Sequence, residues 1–251
     1  MKKKLLLPFL LFISFQALFA QQTIFEETVV KYDTEIAGGV LIHTNGFGAN
    51  FRYGKFLTGF KQRMYQLEIA NWKSSREIKS FNPFYDDVKG YVYGKLNTVA
   101  MVRPSIGVHT SFISKQSLSG VSINYTALFG PTFAFLKPVY LEIGSRTDSG
   151  SFQLPYNIIS TERYDPVKHQ FVNIYGRAPF LKGLGEMKIY PGIHTKLGIN
   201  FEYANNNDIL KAIELNFTAD AFLKKLPVMA FSENQQFFFT LSVNLLYGVK
   251  Q

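Results

Sequence analysis

The chain has 251 residues, no cysteine, and a formal net charge of +9. No disulfide framework or cysteine metal site can form, and without a basic cluster or a recognition motif the positive balance does not indicate nucleic-acid binding. Aromatic residues make up 16% of the chain, with 25 Phe and 14 Tyr but one Trp, a composition that suits aromatic girdles at two membrane interfaces better than a soluble core.

Lys2, Lys3 and Lys4 form a basic start, Leu5 to Phe19 is mostly apolar, and Ala17-Leu18-Phe19-Ala20 ends in small residues around a bulky pair. This is the three-part layout of a secretory signal peptide, with cleavage expected after Ala20 to leave Gln21 at the new N-terminus. The expected organisation is a signal over 1–20, a periplasmic lead-in over 21–34 and a barrel over 35–251. A lipoprotein anchor is excluded because no cysteine follows the signal. No later stretch holds the ~20 consecutive apolar residues of a membrane-spanning helix.

Alternation then takes over. The first strand is expected at 35–44, with Val40 and Ile42 opposite Gly39, Leu41 and His43. Asn45-Gly46 is a strong hairpin signal. The second strand, 47–55, turns Phe47, Ala49, Phe51 and Tyr53 one way and Gly48, Asn50, Arg52 and Gly54 the other. The third, 62–72, sets Tyr65, Leu67 and Ile69 against Gln66 and Glu68. The fourth, 95–111, puts Leu96, Ala100, Val102, Ile106 and Val108 outward and Asn97, Arg103, Ser105, Gly107 and His109 inward.

The fifth strand, 120–136, opposes a row from Val121 to Phe135 to Ser122, Asn124, Thr126, Gly130 and Thr132, and Val139–Ile143 is a short strand candidate in the loop after it. The sixth, 187–203, has one parity almost wholly apolar, from Met187 to Tyr203, while the other carries His194, Lys196, Asn200 and Glu202. The seventh, 211–223, alternates Ile213, Leu215 and Phe217 with Glu214, Asn216 and Asp220, and the eighth, 235–249, puts Phe237 to Tyr247 outward. Successive side chains of a strand point to opposite faces, and about 9–11 tilted residues cross a bilayer.

An even strand number fits a closed bacterial barrel, and so do the loops. With the N-terminus in the periplasm, the connections after strands two, four and six are short. Those after three, five and seven run to about 20, 50 and 10 residues, the asymmetry of short periplasmic turns and longer outer loops. The expected fold is therefore an all-β, eight-stranded antiparallel transmembrane β-barrel with long outer loops. A soluble sandwich or lipocalin-like barrel would bury the bulky parity inside, where a lumen of eight strands has no room for so many Phe, Tyr, Leu and Ile side chains.

Inward-facing polar residues form an expected lumen charge network of Arg52, Glu68, Arg103, His194, Lys196, Glu202, Glu214 and Asp220, since buried charges must be paired. A narrow pore or proton path is the functional alternative. The long aromatic loops make Phe84, Tyr85, Tyr156, Tyr164, Phe171, Tyr175 and Arg177 the outer contact candidates, because contact surfaces favour aromatic residues and Arg. No metal site, cofactor or catalytic group is expected. Asp86-Asp87 and Asp148 could meet a divalent cation but read as solvated loop carboxylates, and His43 and His169 as surface residues.

His109-Thr110-Ser111 resembles the His-x-Ser arrangement of lipid A deacylases, which implies a lipid-modifying hydrolase as a further alternative. The mature chain as a whole resembles the small outer-membrane barrels of Gram-negative bacteria. The segments GGVLIHTNGFGANFRYGK (38–55) and KGYVYGKLNTVAMVRP (89–104), with the Gln-Gln after the signal, are similar to an uncharacterised barrel family of Bacteroidota. That resemblance implies an outer-membrane location, with outer-membrane lipid and other outer-membrane proteins as partners. It carries over no functional residue. The function expected is that of a structural or interaction barrel, alone or as a subunit of a larger outer-membrane complex, with a porin-like channel or transporter as the alternative.

Overall fold

A computed structural model of the protein describes residues 32–83, 88–113, 120–145, 158–203 and 208–251. The expected signal, nearly all of the lead-in, and Phe84, Tyr85, Asp86, Asp87, Asp148 and Tyr156 lie outside the described residues.

The first strands are β1 (Thr34–His43), β2 (Gly46–Thr58), β3 (Lys61–Trp72) and two short ones in the following loop, β4 (Lys79–Ser80) and β5 (Tyr91–Val92). Next come the long pair β6 (Asn97–Ile113) and β7 (Ser122–Pro138), then β8 (Tyr140–Ser145), β9 (Ile158–Arg163) and β10 (Ile174–Arg177). The chain ends in β11 (Lys188–Glu202), β12 (Ile209–Phe222) and β13 (Phe237–Lys250). Eight of these close a barrel in the order β1-β13-β12-β11-β7-β6-β3-β2, every pairing antiparallel. Closure leaves no strand edge open to hydrocarbon. All eight expected strands are present within a few residues of their expected bounds.

Alternation becomes an inside and an outside. Val40, Ile42, Phe51, Ile69, Phe129, Leu197, Leu215 and Phe239 are exposed on the outer wall, while Arg52, Glu68, Arg103, Lys196, Glu214 and Asp220 are buried in the lumen. This inverts the soluble pattern, in which large apolar side chains go inward. Exposed tyrosines gather at the end of the barrel where the two termini meet: Tyr53, Tyr65, Tyr125, Tyr203 and Tyr247. Phe47, Phe237 and Phe239 stand toward the other end. Such interfacial rings are what a membrane barrel uses to fix its depth.

The barrel is taller on one side. β11 pairs with β7 from Lys188 onward but meets β12 only from Gly192. At two inward positions, one on β6 and one on β7, the neighbouring backbone approaches so closely that only glycine fits. A Cβ on Gly107 would lie 1.9 Å from the Ala127 carbonyl oxygen, and one on Gly130 2.1 Å from that of Pro104.

The described parts of the 73–96 and 139–187 connections carry strands of their own. β10, β8 and β9 form a three-stranded sheet in that order, and β4 pairs with β5. Tyr91, Leu141, Ile143, Tyr164 and Ile174 make a small apolar core, with Tyr93, Leu96 and Val139 packed against it. Leu96, expected on the outer wall, thus precedes β6 and belongs to this outer lobe. The Val139–Ile143 candidate is β8, shifted by one residue at its start.

Candidate functional site

The lumen is built from inward positions of all eight barrel strands. Arg52 donates from Nη2 to Glu214 Oε2 at 2.6 Å, with both side chains wholly buried. Glu214 also accepts from Thr126 Oγ1 at 2.9 Å and from the side-chain amides of Asn216 and Asn244 at 3.3 and 3.1 Å. Arg103 holds Asp220 with Nε at 2.9 Å and Nη2 at 2.7 Å, and reaches Glu68 with Nη1 at 2.8 Å. Lys196 pairs with the other oxygen of Glu68. Gln66 links the two clusters: its Oε1 accepts from Arg52 at 3.4 Å and its Nε2 donates to Glu68 at 3.3 Å.

His194 Nδ1 lies 2.9 Å from Thr132 Oγ1, and Thr132 in turn donates to Asp220 at 3.0 Å. Three cations, Arg52, Arg103 and Lys196, thereby face three anions, Glu68, Glu214 and Asp220. Within this set every charge has an opposite partner, as buried charges require. Glu202 stands apart from it, paired with Lys250 at 2.8 Å near the termini. Gln66 and His109 face inward as expected, and Glu35 and Gln62 join them without having been named, Gln62 donating to Glu35 at 3.1 Å and His109 Nδ1 lying 2.9 Å from Thr126 Oγ1. Their inward parity was the available signal.

Above the network the lumen turns apolar. Trp72, Val99, Met101, Ala134, Leu136, Phe222 and Phe238 fill the outer mouth, and Leu226, Val228 and Met229 from the 223–236 connection fold down onto them. Backbone bonds fix this cap: Leu96 N–H donates to Val228 O at 2.9 Å, and Ala230 N–H to Gly94 O at 2.7 Å. Gly94 sits at φ +78°, where a Cβ would also meet the Phe231 ring at 2.9 Å, so glycine alone turns the chain there without strain. An apolar plug was not among the expectations. Residues apolar on both parities at the outer ends of β3, β6 and β7 were the sequence signal for a plug.

The outer lobe places the contact candidates unequally. Tyr164 is 5% exposed and forms part of the lobe core, which corrects its expected role as a contact residue: its ring packs edge-on to Tyr93. Burial, with Tyr93 beside it, pushes the Tyr164 phenol up to about 12. Phe171 is exposed at one edge yet lies against the Tyr91 and Tyr93 rings, at 6.1 and 6.0 Å between centroids. Tyr175 is half-buried and Arg177 exposed.

His169, expected at the surface, is buried. Its Nδ1 accepts the Asp165 N–H at 3.0 Å, so Nε2 carries the proton and donates to Glu162 at 3.2 Å. A bond from Ser160 and then that from His169 hold the Glu162 carboxyl below its usual range. A bond to Glu186 raises the Tyr140 phenol. His43 is buried too: its Nε2 donates to Asn71 O at 2.9 Å and its Nδ1 accepts from Asn45 N–H at 3.2 Å, which pins the Asn45-Gly46 hairpin. Both histidines are structural.

A closed barrel with an apolar outside, an ion-paired inside and aromatic rings at two levels defines a membrane-spanning β-barrel. No protein-family model matches the chain, and no curated protein matches it in sequence. Solved structures similar to it include Ail, the attachment invasion locus protein of Yersinia pestis, in complex with the heparin analogue sucrose octasulfate, at 7% identity over 87% of this chain and 97% of that one, with a TM-score of 0.42. Neisserial surface protein A (NspA) is similar at 9% identity over 87% and 96%, TM-score 0.41. The outer membrane protein OprG from Pseudomonas aeruginosa is similar at 10% identity over 87% and 93%, TM-score 0.29.

Proposed function

We propose that this protein is an outer-membrane barrel of a Gram-negative bacterium, with the Bacteroidota resemblance of its sequence naming the group, and that it works as a scaffold presenting a folded outer lobe to another outer-membrane protein. The observation that carries the reading is the lobe itself. Its residues form a sheet over an apolar core, and long loops that fold in this way are usually functional.

The lobe leaves Ile158, Ile159 and Val167 exposed, and β9 lies at one edge of its sheet. An edge strand with apolar side chains is a surface another protein can add to. The ion-paired lumen and its apolar cap speak against a conducting pore. Against hydrolysis by the His109-Thr110-Ser111 segment stands the burial of His109 inside the barrel, bonded to Thr126.

Photo-crosslinking in the native membrane tests this. A crosslinker at Ile159 is expected to give one discrete protein adduct, whereas one at Phe239 on the outer wall gives lipid only. Absence of a protein adduct from the lobe, or reproducible unitary openings of the purified protein in planar bilayers, would overturn the scaffold reading.

A further inference from the structure

Between the outer lobe and the barrel rim lies a cleft of about 590 Å³ with an unusual wall. Lys73, Lys79, Lys89, Lys137, Arg177 and Lys182 all line it. Among the described residues, Glu77 is the one carboxylate in its lining, and it is already engaged by a seventh lining cation, Lys95, at 2.6 Å, which leaves the other six without a carboxylate in the wall. Lys137 donates to the Phe180 carbonyl at 2.6 Å with its ammonium over the Phe180 ring, and Lys79 lies over the Phe81 ring. Carbonyls and ring faces orient these cations without neutralising them. Six cations around one cavity repel one another unless an anion joins them.

The register of the barrel sets the height of this cleft. Ile69, Val102 and Phe133 lie side by side on the outer wall of β3, β6 and β7. One step up come Asn71, Ala100 and Phe135. One step further, Thr98 pairs with Lys137, and Lys73 continues the outward parity of β3 beside them. Each step of two residues rises about 7 Å along the strand. The basic wall therefore begins directly over the apolar belt, at the depth of lipid headgroups, and on the lipid-facing side. A cavity of this size accepts a sugar-sized group, while the belt below accepts acyl chains. Lysines bind phosphate as point charges, and basic clusters at a membrane surface gain affinity for anionic headgroups.

We propose that this cleft holds the phosphorylated sugar headgroup of an outer-leaflet lipid, with the acyl chains of that lipid laid along the outer wall of β3, β6 and β7. The inference rests on the membrane placement proposed above. The full-length protein in detergent is titrated with bis-phosphorylated lipid A, with the same lipid dephosphorylated, with inorganic phosphate and with a sulfated oligosaccharide. Membrane fractionation and heat-modifiable gel mobility report the placement separately, so its failure is seen there and not in the titration. The phosphorylated lipid is expected to bind at least about ten-fold more tightly than the dephosphorylated one, and Lys73→Gln with Lys182→Gln to abolish that preference. Because Lys182 also stands beside the Lys137 contacts, Lys79→Gln with Lys89→Gln serves as a second variant and is expected to reduce the preference in the same direction. Equal binding of the two lipids, unchanged preference in both variants, or binding of inorganic phosphate or the sulfated oligosaccharide as tightly as the lipid would overturn it.

Discussion

Replacing Glu214 by Gln removes one charge from the centre of the lumen and keeps the shape of the side chain. Arg52 and Glu214 meet at 2.6 Å, and neither side chain reaches solvent. Charge centres about 4 Å apart attract by about 4 kcal/mol at an effective dielectric near 20. A neutral hydrogen bond to Gln returns about 1 kcal/mol, which leaves a net loss of about 3 kcal/mol, or about two orders of magnitude in the unfolding equilibrium. Among the described residues Arg52 has nowhere else to turn: Nε and Nη1 make no hydrogen bond, and its one other hydrogen bond goes to Gln66 at 3.4 Å. The control is Arg52→Met combined with Glu214→Leu, which removes both charges together and is expected to cost much less than the single change. Trp72, the one tryptophan of the chain, reports urea unfolding of the protein in lipid vesicles by its fluorescence. A loss below about 1 kcal/mol for Glu214→Gln, or a double variant as unstable as the single one, would refute the ion-pair account of the lumen.

Two further outcomes follow from the cap and the lobe. Leu226 is fully buried in the mouth, so Leu226→Ala is expected to loosen the cap by about 2–5 kcal/mol and raise acrylamide quenching of Trp72, and unchanged quenching would count against a packed plug. Tyr164, with its phenol pushed up to about 12, is expected to ionise after the exposed tyrosines in a titration followed at 295 nm. Since its folded pKa lies above the unfolded value near 10, the stability it supports is whole below about pH 10 and is lost as the pH rises toward 12. A Tyr164→Phe variant lacks the late step, and a single step near pH 10 in the parent protein would contradict the burial.

Strand and face were legible because a barrel wall imposes a strict two-residue period on every crossing. Phe237, Phe239, Leu241 and Leu245 could face only lipid once Thr240, Ser242 and Asn244 faced the lumen, and a slip of one residue would exchange the two sets. The hairpin at Asn45-Gly46 was readable for the same local reason. The identity of ion-pair partners was not. Arg52 and Glu214 are 162 positions apart, and alternation states that both point inward without stating which charge meets which. Tyr164 and His169 misled because loop aromatics and histidines carry no period, so nothing local separates a buried one from an exposed one.

The sequence by itself determined the eight crossings, the lipid-facing and lumen-facing sets, and the end at which the long loops emerge, since each of these follows from alternation and turn chemistry within one short segment. Only the tertiary structure decided that Leu226, Val228 and Met229 cap the mouth, that the long loops share a core around Tyr91 and Tyr164, and that six cations from separate segments converge above the apolar belt. Those are contacts between residues distant along the chain. They are chosen by how much apolar surface and charge each arrangement satisfies together, a quantity that no single stretch of sequence contains.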